Sequence, residues 1–207
     1  MLYIIRHGET AKNKKKLLQG RSDQSLNESG FSQAADAGDR LRSMGISFDR
    51  IYSSPLIRAR QTAEQILKRG GKSDPDGEAG IDASPIITDE RLIEMDYGPY
   101  EGMDLENPAP EVMAFFMDFA GTPAPEGMEQ LGTVTARLGE FLEEIHDEAL
   151  RGNVLISTHA IAMKGALEYL TPASRGSYWS KYIGNCDVYA VEVTESGYGI
   201  PYALKLR

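Results

Sequence analysis

Two short runs, Leu2-Tyr3-Ile4-Ile5 and Val154-Leu155-Ile156, are apolar at every position. A strand with one wet face alternates apolar and polar residues. An unbroken short run marks a strand covered on both faces. Such strands belong to parallel sheets between helical layers, and they need helical stretches between them. The chain supplies these. Asn27 caps a helix expected over 28–44, with Phe31, Ala34, Ala35, Ala37, Gly38 and Leu41 as its apolar stripe and Gly45 as its stop. A strand over 48–53 follows, and Pro55 opens a helix over 57–68. A short strand is expected at 86–88 and helices at 111–120 and 129–149, the last carrying Leu131, Val134, Leu138, Phe141, Leu142 and Ile145 at helical spacing. After the strand over 154–158, a helix over 160–170 ends at Thr171-Pro172. Strands over 187–193 and 202–206 close the chain around a Glu195-Ser196-Gly197 turn, one of them expected as an antiparallel edge. The class is α/β, with a mostly parallel mixed sheet between two helical layers. One domain over 1–207 is expected, with loop insertions at 70–85 and 95–125 and a polar, Lys-rich loop over 7–26.

Composition narrows the partners. Of 207 residues, 22 are Lys or Arg and 31 are Asp or Glu, a formal charge of −9. That balance argues against nucleic acid or an anionic membrane. The single cysteine, Cys186, excludes an intrachain disulfide and a multi-cysteine zinc site. The opening apolar run is too short for a signal peptide, and none approaches membrane-spanning length. A cytoplasmic protein is the expectation, either monomer or homodimer.

In open α/β sheets, ligands bind beyond the carboxyl ends of the strands. Just past the expected strands stand Arg6-His7-Gly8-Glu9-Thr10, Ser53-Ser54-Pro55-Leu56-Ile57-Arg58 and Ser157-Thr158-His159, with Leu92-Ile93-Glu94 after the short strand. Parallel neighbours would bring Arg6, His7, Arg58 and His159 to one rim. Two arginines and two histidines in a dry site repel one another unless a dianion joins them. A phosphoryl group is the common dianion, and it suits the arginine fork.

These strings resemble the histidine phosphatase superfamily, the phosphoglycerate mutase-like proteins. Arg6-His7-Gly8-Glu9-Thr10 with Asn13 is similar to its signature. Gly20-Arg21 with Asp23, Leu26, Gly30, Gln33 and Ala34 resembles a second stretch. Ser53-Ser54-Pro55-Leu56 with Arg58-Ala59 and Gln61-Thr62-Ala63 resembles the second arginine motif. Leu92-Ile93-Glu94 with Gly98 and Glu101-Gly102, and then Ser157-Thr158-His159, complete the order. The resemblance implies the phosphoglycerate mutase-like sandwich, a small phosphorylated substrate and no metal or cofactor. It implies His7 as the nucleophile that becomes phosphohistidine. Neighbouring positive charge is expected to keep His7 neutral. Arg6, Arg58 and His159 would hold the phosphoryl oxygens. Asn13 would add a neutral donor, Gly20 would line the site, and Gly8 would let the backbone turn tightly. The Ala160 N–H, at a helix N-terminus, would be a further anion donor. Glu94 would be the acid and then the base, protonated mainly when a phosphate dianion is bound. Asp96 and Glu101 compete with it for that role, and Arg60 with Arg58.

Several residues carry a plainer expectation. His146, in an acidic helix stretch, reads as solvated. The Lys12, Lys14, Lys15, Lys16 run reads as a solvated loop, or as a device that steers a substrate with a second anion. Tyr178, Trp179 and Tyr182 read as packing residues rather than a substrate-facing patch. Ala160 stands where the family often has glycine, Lys164 where it often has arginine, and Met128 where a Pro-x-Gly-Glu pattern has glutamate. Loss of that acid would alter substrate choice. The leading activity is phosphomonoester hydrolysis. The alternatives are a phosphoglycerate mutase and an inactive phospho-ligand binding module. Mutases of this type are longer and carry Arg-His-Tyr-Gly after the general acid, where this chain has Met95-Asp96-Tyr97-Gly98.

Overall fold

The computed structural model describes residues 1–70, 86–119, 121–174 and 176–206. Most of the expected 70–85 insertion therefore lies outside the described residues. Both apolar runs are strands: β1 spans Leu2–Arg6, and the run at 154 becomes one of its neighbours. After β1 come α1 (Ala11–Lys14), α2 (Glu28–Ser43), β2 (Arg50–Ser53), α3 (Ile57–Gly70) and β3 (Ile87–Thr88). Then follow α4 (Pro110–Met117), α5 (Leu131–Arg151), β4 (Val154–Thr158), α6 (Ala160–Leu170) and β5 (Val188–Val191). The hairpin β6 (Val193–Thr194) and β7 (Gly197–Tyr198) precedes β8 (Tyr202–Leu204).

The sheet order is β3-β2-β4-β1-β5-β8. β1, β2, β3 and β4 run parallel, and β5 runs antiparallel to both β1 and β8. The tail supplies the expected antiparallel edge strand as β8, and β5, antiparallel as well, lies between β8 and β1 inside the sheet. The expected 187–193 strand also ends early, since its last residues turn into the separate hairpin β6–β7.

Alternate residues of the central strands face different layers, as the pleat requires. Leu2, Ile4, Tyr52, Val154 and Ile156 pack with Val134, Leu138, Phe141 and Ile145 of α5 and with Ala162, Ala166 and Leu167 of α6. Tyr3, Ile5, Ile51 and Leu155 pack with Ala34, Ala37 and Leu41 of α2 and with Ala63 and Ile66 of α3. The result is an α/β/α sandwich whose central strands are wet on neither face. At the parallel end, His7 N–H donates to Thr158 O and Ser54 N–H to Ser157 O, each at 2.9 Å. The ladder thus carries past the strands and sets His7, Ser54 and His159 side by side. No helix of the described residues is long and apolar enough to cross a membrane.

Candidate active site

The loop after β1 is more ordered than a polar linker. Thr10 caps α1, taking the Asn13 N–H while the Asn13 side-chain oxygen takes the Thr10 N–H. Asn13 thus spends its oxygen on the cap, and its amide nitrogen is the end left for a ligand. Gly8 is needed for space, not for a turn: a Cβ there would collide with the backbone of Gly30, and one on Gly30 with that of Glu9. The Gly8 N–H donates to Thr62 Oγ1 at 3.0 Å. Gly8 therefore lets α2 press against the nucleophile loop, and its amide is not available to substrate.

His7 and His159 are buried with their ring centroids 5.2 Å apart. Arg58, fully buried on α3, lies between them, its Nε 3.2 Å from His7 Nε2 and 3.2 Å from His159 Nδ1. These contacts fix the tautomers. His7 Nδ1–H donates to Gly8 O at 2.7 Å, so Nε2 keeps its lone pair. His159 Nε2–H donates to Ser54 Oγ at 2.7 Å, so Nδ1 accepts from Arg58. Burial first, and then the Arg58 guanidinium, hold both imidazoles well below their usual pKa of 6.5. Neighbouring positive charge was expected to keep His7 neutral; Arg58 and Arg6 do lower its pKa, and desolvation lowers it more. The charge repulsion is substantial as well: two unit charges about 4 Å apart repel by about 4 kcal/mol at an effective dielectric of about 20.

The Arg58 fork is not free to clasp phosphate in the expected bidentate way. Its Nη1 donates to Ser22 O at 2.9 Å and its Nη2 to Gly20 O at 2.6 Å. Gly20 thus serves the site through its carbonyl, as an anchor for Arg58. Glu101 holds that anchor loop, taking the Gly20 and Ser22 N–H groups on its two carboxylate oxygens. That role, rather than acid catalysis, is where the structure places Glu101. Arg6 is stapled by Nη1 to Ile183 O, and its Nε is buried with no protein partner.

Glu94 is buried, and its carboxylate sits on the N-terminus of α6. It accepts from Ile161 N–H at 3.2 Å, Ala162 N–H at 2.9 Å and Met95 N–H at 2.9 Å. The anion at this helix end is therefore the chain's own carboxylate, drawn there by the helix dipole. The Ala160 N–H, expected as a donor to the substrate anion, is not one of the amides that Glu94 takes. Arg137 of α5 clamps the strap that carries Glu94. Its Nη1 donates to Arg91 O and Ile93 O, each at 2.6 Å, and its Nε pairs with Glu129 at 2.8 Å. Glu129 also takes the Asp96 N–H and lies 3.4 Å from Arg21. Met128, where the motif has glutamate, is buried in the core, and the carboxylate in this stretch that meets Arg137 and Arg21 is that of Glu129.

Three residues that matter here, Ser54, Thr62 and Arg137, were not singled out from sequence. Ser54 and Thr62 stand inside the quoted Arg58 motif, so that signal was present. Nothing local marks Arg137. Of the lysine run, Lys12 binds Ser22 Oγ, Lys16 pairs with Glu106, and Lys14 and Lys15 are exposed. His146 is not simply solvated, for its ring lies 3.1 Å from Thr194 O and edge-on to Tyr198. Tyr178 and Trp179 are packed, but Tyr182 is 87% exposed, against expectation.

Residues 2–202 match the family model described as histidine phosphatase superfamily (branch 1). The chain belongs to that superfamily. A 2,3-bisphosphoglycerate-dependent phosphoglycerate mutase of Brucella anthropi is 33% identical to it over 180 residues, 83% of this chain and 82% of that one. YhfR of Bacillus stearothermophilus superposes with a TM-score of 0.78 at 28% identity, covering 96% of this chain and 94% of its own. A phosphoserine phosphatase of Entamoeba histolytica gives 0.79 at 22% identity, covering 100% of this chain and 97% of its own. Length does not separate this superfamily member from the mutases, because the matched shares of the two chains are nearly equal.

Proposed function

We propose that this enzyme hydrolyses phosphomonoesters through a phosphohistidine on His7. The observation that carries the reading is the His7 ring itself: buried, neutral, with its Nδ1 proton committed to Gly8 O and its Nε2 lone pair facing Arg58. In the first step Nε2 attacks phosphorus, the P–O ester bond breaks, and Glu94 gives its proton to the leaving oxygen. In the second, Glu94 takes a proton from water, hydroxide attacks phosphorus, and the P–N bond breaks to release phosphate. Arg58 and Arg6 supply positive charge where negative charge spreads in a loose transition state, and His159, whose Nδ1 accepts from Arg58, orients that guanidinium. The Arg6 Nε, buried without a protein acceptor, is a donor that a phosphoryl oxygen would satisfy. No metal or cofactor is required, because guanidinium groups supply the charge.

The mutase reading is favoured by the name of the 33% identical relative. Against it stands the segment after Glu94. Met95 and Tyr97 are buried in the core, and the Asp96 carboxylate takes the Gly98 N–H and faces Arg21. The segment supplies no cation to hold a substrate in two orientations. The test is a phosphate-release screen over many esters with wild type and His7→Ala. Release that depends on His7, without interconversion of phosphoglycerates, supports the hydrolase. Interconversion without net release identifies the mutase.

A further inference from the structure

The nucleophile loop is also held from a part of the chain that none of the sequence motifs includes. β5 runs antiparallel to β1, with Ile5 opposite Val188. One residue further, the ladder changes count. Arg6 N–H donates to Asp187 O at 3.2 Å, and Cys186 N–H donates to Arg6 O at 3.0 Å. Two residues of the tail therefore oppose one residue at the end of β1, which makes a β-bulge. Its first residue, Cys186, has a φ of 59°, the left-handed conformation that favours glycine. A turn closes the bulge: Asp187 N–H donates to Gly184 O at 3.2 Å, and Gly184 N–H to Asp187 Oδ2 at 2.5 Å. Bulges beside active sites re-aim a side chain, and the strain they carry points to the side chain they aim. The residue before Cys186 is Asn185.

The Asn185 Nδ2 donates to His7 O at 2.9 Å. A carbonyl only accepts, so the nitrogen is the end of the amide that faces it. The His7 carbonyl shares a peptide plane with the Gly8 N–H, which donates to Thr62 Oγ1 of α3 at 3.0 Å. That plane is thus held on both edges, from the tail by Asn185 and from α3 by Thr62. Just beyond it stands Gly8 O, which takes the His7 Nδ1 proton at 2.7 Å. The ring and its acceptor are joined through this one plane, so its tilt sets where Nε2 points. The same Asn185 nitrogen lies 3.5 Å from Asn13 Oδ1, a long contact on an oxygen that the Thr10 N–H already holds at 3.1 Å. The bond to His7 O is therefore the stronger of the two.

We propose that Asn185 is a positioning residue: by locking the His7–Gly8 peptide it keeps the His7 Nδ1–H on Gly8 O and the Nε2 lone pair on the line of attack at phosphorus. This rests on the reading of His7 as the nucleophile, and it holds whether the phosphoryl group passes to water or to a second alcohol. Asn185 acts through the His7 backbone rather than on the substrate. Arg58 and Arg6 keep their anchors without it, on Ser22 O and Gly20 O and on Ile183 O. Loss of the Asn185 donors should therefore slow phosphoryl transfer to His7 and leave phosphate binding nearly unchanged. A side chain that merely supported the loop would weaken both together.

The test uses wild type, Asn185→Ala and Asn185→Asp, the last of which keeps the size and removes the donors. With enzyme in excess over p-nitrophenyl phosphate, the rate of p-nitrophenolate release reads transfer to His7. It should fall about 10- to 100-fold in Asn185→Ala, as for a reacting group misplaced by about 1 Å. In Asn185→Asp it should fall at least as far, because the carboxylate would face two oxygens. The calorimetric Kd of inorganic phosphate should change less than about 3-fold in Asn185→Ala, since the lost contact serves the transition state. Nitrogen NMR of labelled imidazoles should show one neutral His7 tautomer in wild type, with its proton on Nδ1, and a mixture of both in Asn185→Ala. A wild-type release rate in either variant, equal losses of rate and phosphate affinity in Asn185→Ala, or a His7 tautomer that this substitution leaves alone would each overturn the proposal. If wild type releases no p-nitrophenolate, the nucleophile reading fails, and the tautomer comparison alone decides the part of Asn185.

Discussion

At the scale of single residues, the site depends on two imidazoles kept neutral in a cationic place. His7 and His159 each have a second ring nitrogen committed, to Gly8 O and to Ser54 Oγ. Ser54→Ala would leave the His159 Nε2–H buried without an acceptor, at a cost of about 1–3 kcal/mol. We expect stability to drop by that amount and kcat to fall, measured by urea unfolding and steady-state rates. A drop in neither contradicts the assignment. The depressed pKa values also make a stability prediction. Below the ordinary value of 6.5, an unfolded chain protonates histidines that the folded chain keeps neutral. Stability is therefore lost as pH falls below 6.5, by up to about 1.4 kcal/mol per pH unit for each histidine. His7→Ala should flatten the slope of unfolding free energy between pH 6.5 and 5.5 by about that amount. An unchanged slope would show that His7 titrates normally.

At the scale of elements, β1, β4 and α6 were legible to the residue, because an unbroken apolar run and a helical run closed by Thr171-Pro172 leave few alternatives. The four-residue α1 was not, since its stripe is polar and its only mark is the Thr10/Asn13 cap. Glu94 was legible as a site residue, but its seat on α6 was not. That contact spans 67 positions of chain, and the amide donors that make it carry no side-chain signature. Arg137 was missed for the same reason, because its acceptors are the carbonyls of Arg91 and Ile93. Arg137→Ala would break an almost buried pair with Glu129 and free the Glu94 strap. Stability should fall by about 3 kcal/mol, and kcat should fall with it. An unfolding midpoint equal to wild type would remove Arg137 from this role.

At the scale of the whole molecule, the carboxyl ends of neighbouring strands, the α3 helix and the strap from residue 91 to 96 meet at one rim. No one of these carries enough of the chemistry alone. The fold class was readable because alternating buried strands and amphipathic helices admit few arrangements. The interior place of β5 was not, since an antiparallel strand joins an edge or an interior slot by tertiary fit. A site built from so many parts should be lost as a unit. Activity and far-UV circular dichroism should decay along one urea curve, and two separated midpoints would contradict a single cooperative domain. Turnover should also be equal in excess chelator and in added magnesium. Loss in chelator that metal restores would contradict a reaction driven by guanidinium charge.

The most direct measurement is rapid quenching of wild type with a labelled phosphomonoester, followed by a test of the trapped label. Phosphate bonded to His7 Nε2 should be labile in acid, stable in base, and missing from His7→Ala. Acid-stable label, or equal label on His7→Ala, would contradict the account.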